Sequence, residues 1–226
     1  NKVGLQLLCF ALSAHHVVFG KTYQRLLLDS RIQSADKVTK LLKKFGVLSD
    51  KAGSGNLAMF LGILLWQSSE LCSAFKSHLE VWEEYHISSM DETGLWGGAA
   101  RPLLSKVQNG YHQYEVLSHL GYRVPYCVAK TLVRIGLTGN SFAPYPGGDS
   151  CYDYDAIYLI SLSEEKSVNE ISRLFLIYSK KWFPPHGTTG DNKTLRPRFV
   201  LLMALFRLLI TIRGYKWIDY LYALRR

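Results

Sequence analysis

Two carboxylates one residue apart, Asp153 and Asp155, stand in the run Cys151-Tyr152-Asp153-Tyr154-Asp155, just ahead of the apolar stretch AIYLISL. At the head of a helix such a pair feels two opposing influences. Each charge disfavours the other, while the positive end of the helix dipole favours both anions. Burial among Tyr152, Tyr154 and Tyr158 would hold one carboxyl protonated at neutral pH and make it a general acid. Asp155 is the candidate acid, Asp153 the group that orients it, and Tyr158 a candidate substrate contact. The structural alternative is that Asp153 caps the helix and Asp155 pairs with an arginine. His112 is the candidate base or proton shuttle, because an imidazole titrates near neutrality. Its neighbours Tyr111 and Tyr114 would supply an aromatic wall. Here too the alternative is a satisfied structural histidine.

Around these stand polar groups fit for binding. Ser54, Asn56 and Asn109 occupy apparent helix heads, and Arg196-Pro197-Arg198 with Arg101 offers guanidinium forks suited to phosphate or carboxylate. The same Arg-Pro-Arg run also suits an ordinary helix start, with Pro197 in the first turn. Cys151, Asp153 and His112 together hold one sulfur, one oxygen and one nitrogen, the donor types of a zinc site. No two of them have a compact ligand spacing, so no metal and no cofactor is expected. His15 and His16 are adjacent, point to different faces of a helix and read as structural. The sequence has no Gly-x-x-x-x-Gly-Lys phosphate loop, no Gly-x-Gly-x-x-Gly, no His-Glu-x-x-His and no Gly-x-Ser-x-Gly.

The elements that must position these residues read as helices. Four segments begin with small or polar residues and run into an apolar stretch: from Gly53, from Asn109, from Cys151 and from Leu195. Their starts are about 40–55 residues apart, a period that signals stacked supersecondary units. The spacing predicts helix pairs: Val3–Phe19 with Ser34–Phe45, capped by Ser34 or Asp36; Asn56–Trp66 with Glu70–His86; Asn109–Leu120 with Pro125–Ile135. Asp153–Leu162 with Val168–Trp182, and Arg198–Ile212 with Lys216–Arg225, complete the set. In each pair the first helix is apolar on most sides and the second on one. A helix apolar all round must be covered all round. Strand patterning is nearly absent. The expectation is an all-α chain, a single domain over 1–226, folded as an α/α toroid or an open arc of about five helical hairpins with inner and outer helices. An unrelated helical bundle is the rival. In a toroid the inner helix heads converge, which would bring Asn56, Asn109, His112, Asp153, Asp155 and the arginines around one cavity.

Met90-Asp91-Glu92-Thr93-Gly94-Leu95-Trp96-Gly97 resembles the repeated turn of squalene-cyclase-type terpene cyclases, with Met90 where that family usually has Gln. The physical sense is a tight turn between outer and inner helices, with glycine at positive φ and a Trp packed over a helix end. Gly139-Asn140-Ser141-Phe142 resembles it more weakly. Asp153-Tyr154-Asp155-Ala156 resembles the Asp-x-Asp-Asp motif of class II terpene cyclases, with Ala156 in place of the last acid. The resemblance to the terpenoid cyclase and protein prenyltransferase superfamily implies an acid-initiated reaction on a polyprenyl-type substrate. It adds Trp96 to the candidate substrate contacts. The same ring also serves glycosidases, polysaccharide lyases and sugar epimerases, so a carbohydrate-active protein acting on an acidic glycan, or a non-catalytic binding toroid, stands beside it.

The bulk composition is consistent with these readings. The 226 residues carry a formal net charge of +9, with 48% hydrophobic and 20% charged residues. That composition excludes a disordered chain and favours anionic partners, here an apolar or anionic small molecule such as a polyprenyl ester or acidic sugar. The basic residues do not gather into a stripe, so no nucleic-acid partner is expected. The four cysteines are far apart, pointing to a reducing, cytoplasmic setting. No window reaches the roughly 18–20 apolar residues that span a bilayer, which leaves peripheral membrane contact open. The chain starts at Asn1 inside an apolar pattern and stops at Arg226, which reads as a piece of something longer.

Overall fold

The structure, a computed structural model, describes residues 2–20, 34–49, 51, 53–98, 100–138, 142–143, 150–163 and 173–174. Among them are seven α-helices and no strand, apart from an isolated bridge between Val124 and Ser163. The all-α expectation holds for these residues. They fall into two compact units, Asn1–Tyr122 and Arg123–Arg226.

The first unit is organised around a helix with almost no polar side. It comprises α1 (Lys2–Phe19), α2 (Ala35–Phe45), α3 (Ser54–Leu71), α4 (Lys76–Ser88) and α5 (Leu103–His119). On α3 the run Ala58–Leu65 is buried on every face, so neighbours must surround it; α1, α2, α4 and α5 all pack against it. Two of these neighbours run parallel to it. Cys9 Sγ of α1 lies 3.7 Å from the Phe60 carbonyl, 51 residues on, and the His16 ring lies 4.7 Å from Trp66 further along. From α5, Asn109 meets Gly55, 54 residues away, and the His119 ring lies 5.2 Å from Trp66. Between these parallel helices α4 turns back, and Trp82 Nε1 donates to the Ala58 carbonyl at 3.0 Å.

One-sided helices complete this unit. In α2, Val38 and Leu42 are buried while Lys40, Lys43 and Lys44 are exposed, and the helix packs on α4. It ends at Gly46, whose φ of 77° lets its N–H reach the Leu42 and Lys43 carbonyls. Ser34 occupies the cap position but makes no side-chain cap bond, so the cap expected there is a correction.

In the second unit α6 (Tyr126–Thr138) packs against α7 (Ser150–Ser161). Val124 N–H donates to the Leu162 carbonyl at 3.2 Å, tying the lead into α6 to the end of α7. Gly136 leaves room for Phe142 and Leu174: a Cβ there would lie 2.7 Å and 2.5 Å from their side chains.

The helix expectations for α1, α2, α3 and α6 agree with the structure to within a few residues, and three others need correction. The α4 segment does not begin at Glu70. Residue Leu71 ends α3, Cys72 is extended at φ −147°, and Ser73–Phe75 form a 3-10 turn before Lys76. Helix α5 begins at Leu103, after Pro102, so Asn109 lies in its second turn and not at its head. Helix α7 begins at Ser150, which puts Asp153 in the first turn. The expected helix Val168–Trp182, but for residues 173–174, and the whole pair Arg198–Ile212 and Lys216–Arg225 lie outside the described residues.

Candidate functional site

Where α5 crosses α3, four of the nominated residues come together or border on one another. Gly55 N–H, one of the amides that a helix start leaves without an intrahelical partner, donates to Asn109 Oδ1 at 3.2 Å. One residue on, Asn56 Nδ2 and His112 Nε2 are 2.6 Å apart. With the amide nitrogen donating, Nε2 accepts and the ring proton sits on Nδ1. The Tyr111 ring meets that of His112 edge-on at 4.7 Å. Exposure sorts the four: Asn109 and Tyr111 are each 7% exposed, while Asn56 and His112 are only half-buried. The Asn56–His112 pair is therefore the part of this cluster that meets solvent.

The turn from α4 to α5 has the local geometry its residues require. Gly94 takes φ 77°, and Gly94 N–H donates to the Asp91 carbonyl at 2.8 Å. Trp96 is 1% exposed and its Nε1 donates to the His86 carbonyl at 2.8 Å, so the indole closes over the end of α4. Asp91 accepts from the Thr93 amide at 2.9 Å and from the Thr93 hydroxyl. Its second oxygen pairs with Lys106 Nζ at 2.7 Å, and that lysine is only 2% exposed. Burial works to raise the Asp91 pKa, but Lys106 and Thr93 outweigh it and hold the carboxyl below the usual range. Neither Lys106 nor His86 was nominated from the sequence. Nothing in the register of α5 marks a lysine as buried, and a histidine one turn after Trp82 in a charged helix reads as a surface residue.

His86 is the other buried titratable group. Its Nδ1 donates to the Trp82 carbonyl at 2.6 Å, and the Trp82 ring lies 3.9 Å away. Among the described residues, no hydrogen-bond partner reaches its buried Nε2. Burial pushes its pKa down to about 4, against the smaller upward pull of the Trp82 carbonyl.

In the second unit, Asp153 is 1% exposed and Oδ1 accepts from the Phe142 amide at 3.0 Å. Its carboxylate thus holds the segment that enters from α6. Asp155 is 6% exposed, and Tyr158 stacks on Tyr154 at 6.1 Å. Arg196 and Arg198 lie outside the described residues. Arg101 Nη2 donates to the Ser49 carbonyl at 3.3 Å on the surface.

Two further features bound the chemistry. A cleft of about 390 Å³ runs along α4, lined by Glu80, Glu83, Glu84, Ile87, Ser88 and Tyr122, and none of these was nominated. Among the described residues, no group of three His, Cys, Asp or Glu side chains lies close enough to hold a metal ion, and no helix is long and apolar enough to cross a membrane. No protein-family model, curated protein or solved structure matches this chain. The assignment of a class rests on the helices and on the residues they carry.

Proposed function

We propose that the chain is an α/α-arc protein similar to the terpenoid cyclase and prenyltransferase superfamily, and that it acts on an acidic glycan with His112 as proton carrier. The alternation in the first unit supports the arc. Helices α1, α3 and α5 run side by side in one direction, and α2 and α4 pack against each other and against α3. That alternation fits an inner and outer arrangement of helical hairpins.

The observation that carries the reaction is the pair Asn56 Nδ2 and His112 Nε2, 2.6 Å apart and half-buried. It places one donor beside one acceptor. A hydroxyl group is both at once: inserted between them in place of their mutual bond, its oxygen accepts from Asn56 while its proton goes to the freed Nε2. A hydrocarbon chain can replace neither half of that bond, so the pair suits a sugar better than a polyprenyl tail. His112 then takes or returns a proton in a hydrolase, lyase or epimerase step. Asn56 fits both states of the ring. Its amide nitrogen donates to the neutral imidazole, and its oxygen, turned over, accepts from the imidazolium.

The cyclase reading keeps one observation of its own, the burial of Asp155 in α7, where Tyr154 and Tyr158 flank it in sequence. Turnover of acidic oligosaccharides and of polyprenyl diphosphates by wild type, His112→Gln and Asp155→Asn separates the two. On the glycan reading, His112→Gln loses about 10²–10⁴-fold in kcat/KM on oligosaccharide, and Asp155→Asn keeps its activity. Loss of polyprenyl turnover in Asp155→Asn alone establishes the cyclase instead. Oligosaccharide turnover that His112→Gln leaves unchanged overturns the role of His112.

A further inference from the structure

We infer that the turn joining α2 to α3 docks on an anionic lipid surface, with Leu48 entering the interface and Lys43, Lys44, Lys51 and Arg101 meeting the headgroups. The inference is independent of the catalytic reading.

The turn is firmly built. The Gly46 carbonyl accepts from the Ser49 and Lys51 amides, each at 3.2 Å, and from Ser49 Oγ at 3.0 Å. Val47, 1% exposed, anchors the 3-10 turn Val47–Ser49, while the next residue, Leu48, is turned outward and is 44% exposed. Lys43 and Lys44 belong to the last turn of α2, and the Gly46 amide donates to the Lys43 carbonyl at 3.0 Å. Lys51 lays its stem against the same turn: a Cβ on Gly46 would lie 2.9 Å from Lys51 Cβ and 3.3 Å from its Cδ. From just ahead of α5, 52 residues on from Ser49, Arg101 Nη2 donates to the Ser49 carbonyl at 3.3 Å. That bond holds the guanidinium next to Leu48. All four cations are exposed.

The negative end of α2 attracts cations and accounts for Lys43 and Lys44. It accounts for neither Lys51 nor Arg101, nor for a leucine turned outward among them. Between Lys37 and Ser69 the sequence has five lysines and one acid, Asp50, which lies outside the described residues, so the segment stays positive. An apolar side chain flanked by cations matches the two layers of a membrane interface, hydrocarbon beneath and anionic headgroups above. An acidic polymer in water would engage the cations and leave Leu48 idle.

The test is co-sedimentation of the full chain with vesicles of phosphatidylcholine alone and of phosphatidylcholine with phosphatidylserine at 7:3. Wild type binds the anionic vesicles, binds the neutral ones far more weakly, and is released by 0.5 M salt. Lys43→Gln/Lys44→Gln weakens binding roughly 30-fold, about fivefold per charge, and Leu48→Ser weakens it about tenfold. Lys130→Gln/Arg134→Gln, which removes the same charge from exposed positions on α6, leaves binding within about twofold of wild type. Equal loss in the two double variants means that net charge alone attracts the chain, and overturns the inference. So does equal binding to both vesicles, or binding that Leu48→Ser leaves unchanged. Capture of polygalacturonate without vesicle binding, lost in Lys43→Gln/Lys44→Gln, also overturns it and assigns the turn to an acidic polymer.

Discussion

Gly55 of α3 and Asn109 of α5 meet backbone to backbone: a Cβ on Gly55 would lie 2.2 Å from the Asn109 carbonyl oxygen. The same two residues share the hydrogen bond from Gly55 N–H to Asn109 Oδ1, at 3.2 Å. Close approach and amide pairing therefore fix one register between these helices, and that register puts Asn56 opposite His112.

Glycine substitutions along this crossing should rank by what the new methyl meets. Gly55→Ala drives a Cβ into backbone that cannot move aside, and costs about 3 kcal/mol. At Gly62 the neighbours are the side chains of Val116 and Trp82, at 2.9 Å and 3.0 Å. They yield a few tenths of an ångström, so Gly62→Ala costs about 1 kcal/mol. Among the described residues nothing lies within 4 Å of a Cβ at Gly4, and Gly4→Ala gains about 0.5–1 kcal/mol from helix propensity. Urea unfolding gives the order Gly4→Ala, wild type, Gly62→Ala, Gly55→Ala. A Gly55→Ala protein as stable as wild type would refute the backbone contact.

Removing one partner of the Asp91–Lys106 pair should cost more from the acid side. Asp91→Ala leaves an ammonium 2% exposed without its carboxylate and also releases the Thr93 turn; the expected loss is about 3 kcal/mol. Lys106→Met leaves Asp91 more exposed, at 12%, with Thr93 still bound, and loses less. The folded-state pKa of Asp91 is depressed, so its contribution is present above the ordinary carboxylate value and is lost as pH falls through the lower folded value. Chemical denaturation at pH 7 and pH 3 reads both effects. Equal losses for the two substitutions would contradict the burial of the lysine.

Acidification should also act on His86, in a different window. Burial holds its folded-state pKa at about 4, against an ordinary histidine value of 6.5. Above pH 6.5 the ring is neutral folded or unfolded and stability is at its full value. Below pH 6.5 the unfolded chain takes up a proton that the folded one refuses, until the pH nears 4. The loss across that window is about 3 kcal/mol. His86→Phe flattens this slope, whatever it does to stability at pH 7. A slope between pH 6.5 and pH 4.5 that is the same in both proteins shows that His86 does not cause it.

Much of the helical layout is legible in the sequence because α3 and α2 differ so plainly, one apolar all round and the other with Val38 and Leu42 on a single side. The errors have physical causes. Asn109 and Gly110 look like a helix head, since polar and small residues interrupt an apolar pattern there. They are instead the places where α5 touches its neighbours, Asn109 against Gly55 and Gly110 against Leu95. Leu71, Phe75, Leu79 and Trp82 keep helical spacing across a break, because the 3-10 turn at Ser73–Phe75 carries the phase through. Asn56, Asn109 and His112 lie near one another through a side-by-side crossing and not through two coincident helix starts. Lys106 and His86 stay illegible, because burial of a charged or titratable side chain depends on partners that no local pattern encodes.

The two parallel contacts of α3 have a kinetic consequence. Cys9 reaches Phe60 across 51 residues, and Gly55 reaches Asn109 across 54. Loop-closure entropy varies only with the logarithm of length, so the two searches carry nearly the same entropic barrier. Neither end of the first unit has a head start by chain length, and α3, shared by both, is the template on which each flank condenses.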